Sequence, residues 1–129
     1  MTAATGNLAV LLEGFFTRRL MQQRQASAHT IASYRDTFRL LLRFAQKRLK
    51  TAPSALALEQ LDAPLIAAFL ADLEQERGVS ARSRNLRQSA IRSFLQYAAF
   101  ESPGHASLIQ RVLAIPSKRC TRKQVCHLT

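Results

Sequence analysis

A chain of 129 residues, 47% of them hydrophobic, has the length of one domain and enough apolar side chains to build a core without disulfides or metals. Its formal charge of +11, from 19 Lys+Arg against 8 Asp+Glu, points to an anionic partner. A membrane is one such partner, but no apolar run approaches the roughly 18 residues that span a bilayer, and Leu8–Leu12 is too short and too close to Glu13 for a signal peptide.

In chain order, Leu8, Leu11, Leu12, Phe15, Phe16 and Leu20 repeat at three and four, which predicts a first helix from about Asn7 to Arg24. Arg18, Arg19 and Arg24 lie towards its C-terminal end, where the helix dipole favours positive charge. QQRQAS breaks the period, and Ser27 is the expected N-cap of a second helix reaching about Lys50. Ile31, Tyr34, Phe38, Leu41, Ala45 and Leu49, spaced 3-4-3-4-4, form one buried stripe. Arg35, Arg39, Arg43 and Lys47 recur every four residues beside it, and His29, Thr30 and Ser33 occupy the opening turns. Short polar side chains in that place suit phosphates or base edges, while the Arg ladder taken alone also fits a solubilising stripe.

TAPSALALEQL holds Pro53 and no firm period, which predicts a loop with one short turn. Asp62 caps a third helix with Pro64 in its first turn, where a missing N–H costs little, and Leu65, Ile66, Phe69, Leu70 and Leu73 make its apolar face. Asp72, Glu74 and Glu76 render this helix acidic, so it is expected to turn away from the anionic partner or towards another basic protein surface. Gly78 closes it and Ser80 caps a fourth helix that reaches Glu101. There Ala90, Ile91, Phe94, Tyr97 and Ala98 fall on one face, and Arg82, Asn85, Ser89, Arg92 and Gln96 gather opposite. Its first turn and a half carries Arg82, Arg84 and Arg87 and no acid, a placement the helix dipole disfavours and a polyanion would explain; the plainer reading is a solvated basic face. Ser102, Pro103 and Gly104 stop this helix, and a fifth, about His105–Ala114, presents Leu108, Ile109, Val112 and Leu113 before Pro116 ends it. SKRCTRKQVCHLT reads as an extended basic linker, which divides the chain into a helical domain over 1–116 and a linker over 117–129.

Charge is sorted along the chain: residues 27–50 carry net +5, 51–76 net −5, 77–100 net +5 and 101–129 net +4. Two basic helices thus flank an acidic one, as in a protein that lays two elements on an anionic surface. With no strand pattern anywhere, the expected class is all-α, a compact bundle of four main helices plus a short fifth.

Catalytic chemistry is not visible in these residues. Phosphate-loop, dinucleotide and H-E-x-x-H motifs are missing, His29, His105 and His127 are scattered, and Tyr34 and Tyr97 sit on apolar stripes as core residues do. Cys120, Cys126 and His127 offer three ligands at a spacing unlike paired metal knuckles, so neither metal nor cofactor is expected. Two thiols in a polar tail suit the reducing cytoplasm.

ASAHTIASYRDTFRLLLRFA, residues 26–45, resembles a helix of the core-binding domain of phage-integrase or Xer-type tyrosine recombinases, with Ser27, Thr30, Tyr34, Arg35, Thr37 and Phe38 at the matching positions. GVSARSRNLRQSAIRSFLQYA, residues 78–98, resembles that domain's later helix, and VLAIPSKR, residues 112–119, resembles its exit into the linker. The resemblance covers nearly the whole chain and implies a SAM-like helical domain forming half of a C-shaped clamp on double-stranded DNA, working with other recombinase protomers in a synaptic complex. It implies Thr30 and Arg35 at phosphates, His29 and Ser33 nearer bases, Arg82, Ser83, Arg84 and Asn85 at the groove, and Lys118 and Arg119 along the linker phosphates. Arg87 points towards the apolar face and is expected to snorkel there.

The family's catalytic residues lie in a C-terminal domain that this sequence does not show, so the expectation is DNA binding without cleavage, no small-molecule substrate and no enzyme activity. Replacing Arg35 or Arg84 by alanine is expected to weaken binding and leave the fold intact. A helical protein–protein module, or a non-functional remnant of a recombinase, stays open beside this reading.

Overall fold

The three side chains that the sequence marks as helix caps do the capping. Ser27 Oγ accepts from the Thr30 N–H, Asp62 Oδ1 from Leu65 N–H and Ser80 Oγ from Ser83 N–H, each at 3.1 Å. In a computed structural model, which describes residues 8–23, 27–52 and 55–117 but not the side chains of 21–23, these caps open α2 (Ala28–Leu49), α3 (Ala63–Gln75) and α4 (Ala81–Glu101). They follow α1 (Leu8–Gly14) and precede α5 (Ala106–Leu113), and the described residues contain no strand.

The first predicted helix is two kinds of helix in one rod. After Gly14 the chain continues as a π-helix over Phe15–Gln23, whose wider turn brings residues five apart onto one side. Phe15 and Leu20, five apart, are both fully buried, so the wider register seats a pair that α-geometry would splay. Gly14 is required at the junction because a Cβ there would collide with the Tyr97 hydroxyl of α4. Beside it, the Phe15 ring is the centre of an aromatic cluster, 5.4 to 6.3 Å from the rings of Phe16, Tyr34, Phe38, Phe94 and Tyr97.

The aperiodic stretch before α3 is more than a loop. Leu56, Leu58 and Leu61 are all buried around a 3₁₀ turn at Leu58–Gln60, whose pattern a search for α-helical period does not detect. A second 3₁₀ turn, Pro103–His105, leads into α5, which buries Ile109 and Val112. Helix α4 is the hub, in contact with α1, the π-helix, α2, α3 and α5. Gly78, at φ 67°, makes the left-handed turn from α3 into α4 and lets the Val79 N–H close on the Leu73 carbonyl at 3.1 Å.

Candidate nucleic-acid interface

Because α4 is packed on several sides, its contacts decide which polar residues remain outward. On one flank Arg87 reaches α2, where Nη1 donates to Thr37 Oγ1 at 3.0 Å and Nη2 pairs with Asp36 Oδ2 at 3.1 Å. Thr37 is 1% exposed and in turn donates to the Ser33 carbonyl at 3.1 Å. Arg87 therefore joins two helices, as its inward lean in the sequence suggested.

On the other flank, Arg84, Gln88 and Arg92 form a ladder four residues apart along the segment that leaves α5. Arg84 Nη1 donates to the Pro116 carbonyl at 3.4 Å, Gln88 Nε2 to the Ile115 carbonyl at 2.8 Å, and Arg92 Nη1 to the Leu113 carbonyl. Carbonyls at a helix C-terminus have no partner within the helix, and these side chains supply one. Arg84 also donates to Asn85 Oδ1 at 3.1 Å and to Gln88 Oε1 at 2.7 Å, while its buried Nε, without a hydrogen-bond partner, faces Glu74 of α3 at 3.9 Å.

Between the two flanks a ridge of α4 stays outward. Arg82, Leu86, Ser89, Gln96 and Phe100 are exposed along it, and the first three fall within about 60° of one another around the helix axis. Arg84, only two residues from Arg82, lies about 200° away from it. The residues expected at DNA accordingly separate. His29, Ser33, Arg35 and Arg82 are exposed, Thr30, Ser83 and Asn85 are half-buried, and the Arg84 side chain is only 12% exposed. Thr30 Oγ1 accepts from Ser27 Oγ at 3.1 Å, and the Arg35 guanidinium lies 5.6 Å from the Phe16 ring centre, within cation–π range. His29 and Ser33 stand one turn apart on a line of α2 that continues to Thr37, the residue of that line bonded to Arg87 of α4. Lys118 and Arg119, with the rest of the expected linker and the Cys120, Cys126 and His127 group, lie outside the described residues.

Sequence reasoning missed the carbonyl ladder. Its signal was present as Arg84, Gln88 and Arg92 at i, i+4 and i+8, but Arg92 was assigned to the outward face because the segment it binds lies some twenty residues further on. The acidic α3 is likewise not turned wholly outward, since Glu74 serves Arg84. Along α2, Arg35, Arg39, Arg43 and Lys47 are all exposed, and Asp36, the one acid among them, faces both Arg39 at 3.8 Å and Arg87.

Among the described residues no group of His, Cys, Asp and Glu side chains has metal-binding geometry, and no helix is long and apolar enough to cross a membrane. An open cleft of about 720 Å³ between α2 and α3 is lined by Arg43, Lys47, Arg48 and Arg77 over Phe44 and Phe69, with Asp72 as its carboxylate. Ser102 Oγ lies 2.7 Å from His105 Nδ1, and His105 Nε2 lies 3.5 Å from Glu59 Oε2, a relay that resembles hydrolytic machinery. Ser102 is only 3% exposed, so its hydroxyl is closed to substrate and the relay ties the α4–α5 turn to the 3₁₀ turn. A hydrogen bond from its own backbone holds the Glu59 carboxyl below the ordinary value, assisted by His105 and opposed by desolvation; burial pushes the Tyr97 hydroxyl up.

The helical fold and this distribution of charge define a class that the comparisons with known proteins make specific. The family model for the phage integrase N-terminal SAM-like domain matches residues 14–102, more than half of the chain, and the chain belongs to that family. It is 67% identical over 123 residues to a Sinorhizobium fredii protein named integrase/recombinase y4rC, and 49% identical over 122 residues to y4rD of the same organism, named likewise. Each alignment covers 95% of this chain but only 37% and 43% of those relatives, so the chain spans about two fifths of their length. No solved structure matches the chain significantly.

Proposed function

We propose that these 129 residues act as the core-binding half of a tyrosine-recombinase clamp, holding double-stranded DNA at a recombination site without cleaving it. The observation that carries this reading is the outward Arg82–Leu86–Ser89 ridge of α4, joined through Arg87 to the helix whose opening turns expose His29, Ser33 and Arg35. Asp36 and Thr37 of α2, which directly follow that exposed set, are the residues that Arg87 holds. In this arrangement Thr30 and Arg35 take phosphates, His29 and Ser33 approach bases, and Arg82, Ser83 and Asn85 meet the groove. Lys118 and Arg119 follow the backbone from a linker over 117–129 that leaves the helical domain of 1–116. Arg84 contributes from behind, by holding α4 to Pro116 and Glu74. The partners are duplex DNA and other recombinase protomers in the cytoplasm, with no cofactor and no small-molecule substrate.

The test is titration of the purified chain with random duplex DNA across a salt series. Each neutralised phosphate contributes about 0.9 to the slope of log affinity against log salt, so Arg35→Ala and Arg82→Ala should each flatten the slope by about that amount. Absence of binding by the unmutated chain at low salt would contradict the proposal.

A further inference from the structure

Leu86 stands where a charged residue would be expected. It is 59% exposed, on the outward ridge between Arg82 and Ser89, in a helix with no acid before Glu101. The flanks of α4 explain why nothing among the described residues covers it. The Arg87 side of the helix is held by α2 and the Arg84 side by the segment after α5, so a side chain between them projects away from both. Any rigid surface that meets the first half of α4 therefore meets Leu86 together with Arg82 and Ser89.

We propose that Leu86 is a specificity-determining residue that reads the C5-methyl group of thymine in the major groove, an inference that rests on the DNA-binding role proposed above. The major groove is wide enough for a helix, and the thymine methyl is the one apolar group on its floor. Ser89, one turn on, is small enough to let the helix backbone come close, and Arg82, one turn before, reaches the phosphate wall or a guanine edge. An aliphatic side chain gains nothing from a phosphate, so in a DNA complex its complement is that methyl group. The Arg87 bonds to Asp36 and Thr37 anchor the same turn, which keeps Leu86 from swinging aside. A protein partner seated on Leu86 and on Phe100, which is 75% exposed further along α4, is the competing occupant.

The experiment enriches short random duplexes on the purified chain, then remakes the enriched duplex with deoxyuridine for thymidine, which removes the methyl groups and keeps every hydrogen-bonding edge. The unmutated chain should bind the uridine duplex about fourfold more weakly, the factor supplied by burying one methyl-sized group. Leu86→Ala should bind both duplexes equally, and Leu86→Met, still apolar, should keep the preference. Leu86 is exposed, so both variants should melt as the unmutated chain does. Binding without enrichment, equal binding of both duplexes by the unmutated chain, or an undiminished preference in Leu86→Ala would overturn the inference while leaving DNA binding in place. Self-association of the unmutated chain that Phe100→Ser abolishes, with no effect of the methyl group, would overturn the inference and assign the ridge to a second copy of the chain. No binding to any duplex would overturn both proposals together.

Discussion

Arg82 and Arg84 are two residues apart on the same helix, carry the same charge and do different things. Arg82 stands on the exposed ridge of α4, whereas Arg84 is turned inward, bonded to Asn85, Gln88 and the Pro116 carbonyl and facing Glu74. A basic stretch in a sequence is thus a mixture of surface charge and internal fastening, and helical rotation separates the two only once the neighbours are known. Arg82, Leu86 and Ser89 answer to whatever lies outside the domain; Arg84, Gln88 and Arg92 answer to the chain leaving α5.

That division predicts a graded set of effects. The largest is on stability at Arg84: Arg84→Ala should cost about 2 kcal/mol in denaturant unfolding, because Gln88 and Glu74 are left facing a cavity where a charged donor stood. This revises the expectation that the substitution leaves the fold intact. By the same measurement Arg92→Ala should cost about 1 kcal/mol, the worth of one hydrogen bond to a helix-terminal carbonyl. Arg82→Ala should fall within about 0.5 kcal/mol of the unmutated chain, since an exposed side chain away from such contacts contributes little. Equal costs at positions 82 and 84 would erase the distinction between ridge and ladder.

The smallest effect lies away from α4. Glu59 has a carboxyl held below its ordinary value of 4.5, so its contribution to stability is present above that pH and is lost as the pH falls through the lower value of the folded state. Glu59→Gln should therefore lower stability slightly near neutral pH, with the difference from the unmutated chain shrinking away on the acid side, as thermal melts between about pH 3 and 7 would record.

The fold was largely legible in the sequence because its helices announce themselves by local chemistry. Ser27, Asp62 and Ser80 mark three starts, and the stripes through Phe38 and Leu41, through Phe69 and Leu73 and through Ile91 and Phe94 are the faces found buried. Features that depend on another part of the chain were not legible. The π-helix rests on Phe15 and Leu20 both finding room beside α4, and Gly14 on the approach of Tyr97. Leu56, Leu58 and Leu61 enter the core from a turn too short to show a period. At the candidate interface the basic opening of α4 was legible, and the inward turn of Arg84 could not be read because its partners, Glu74 and Pro116, come from α3 and from beyond α5.

Amide chemical-shift changes on adding duplex DNA report residue by residue on whether the α4 ridge is the contacting surface. The largest shifts should fall on residues 29–35 of α2 and on Arg82, Leu86 and Ser89 of α4, with α3 and α5 nearly silent. Shifts concentrated on α3 or along α5, with Arg82 and Leu86 unmoved, would contradict that assignment.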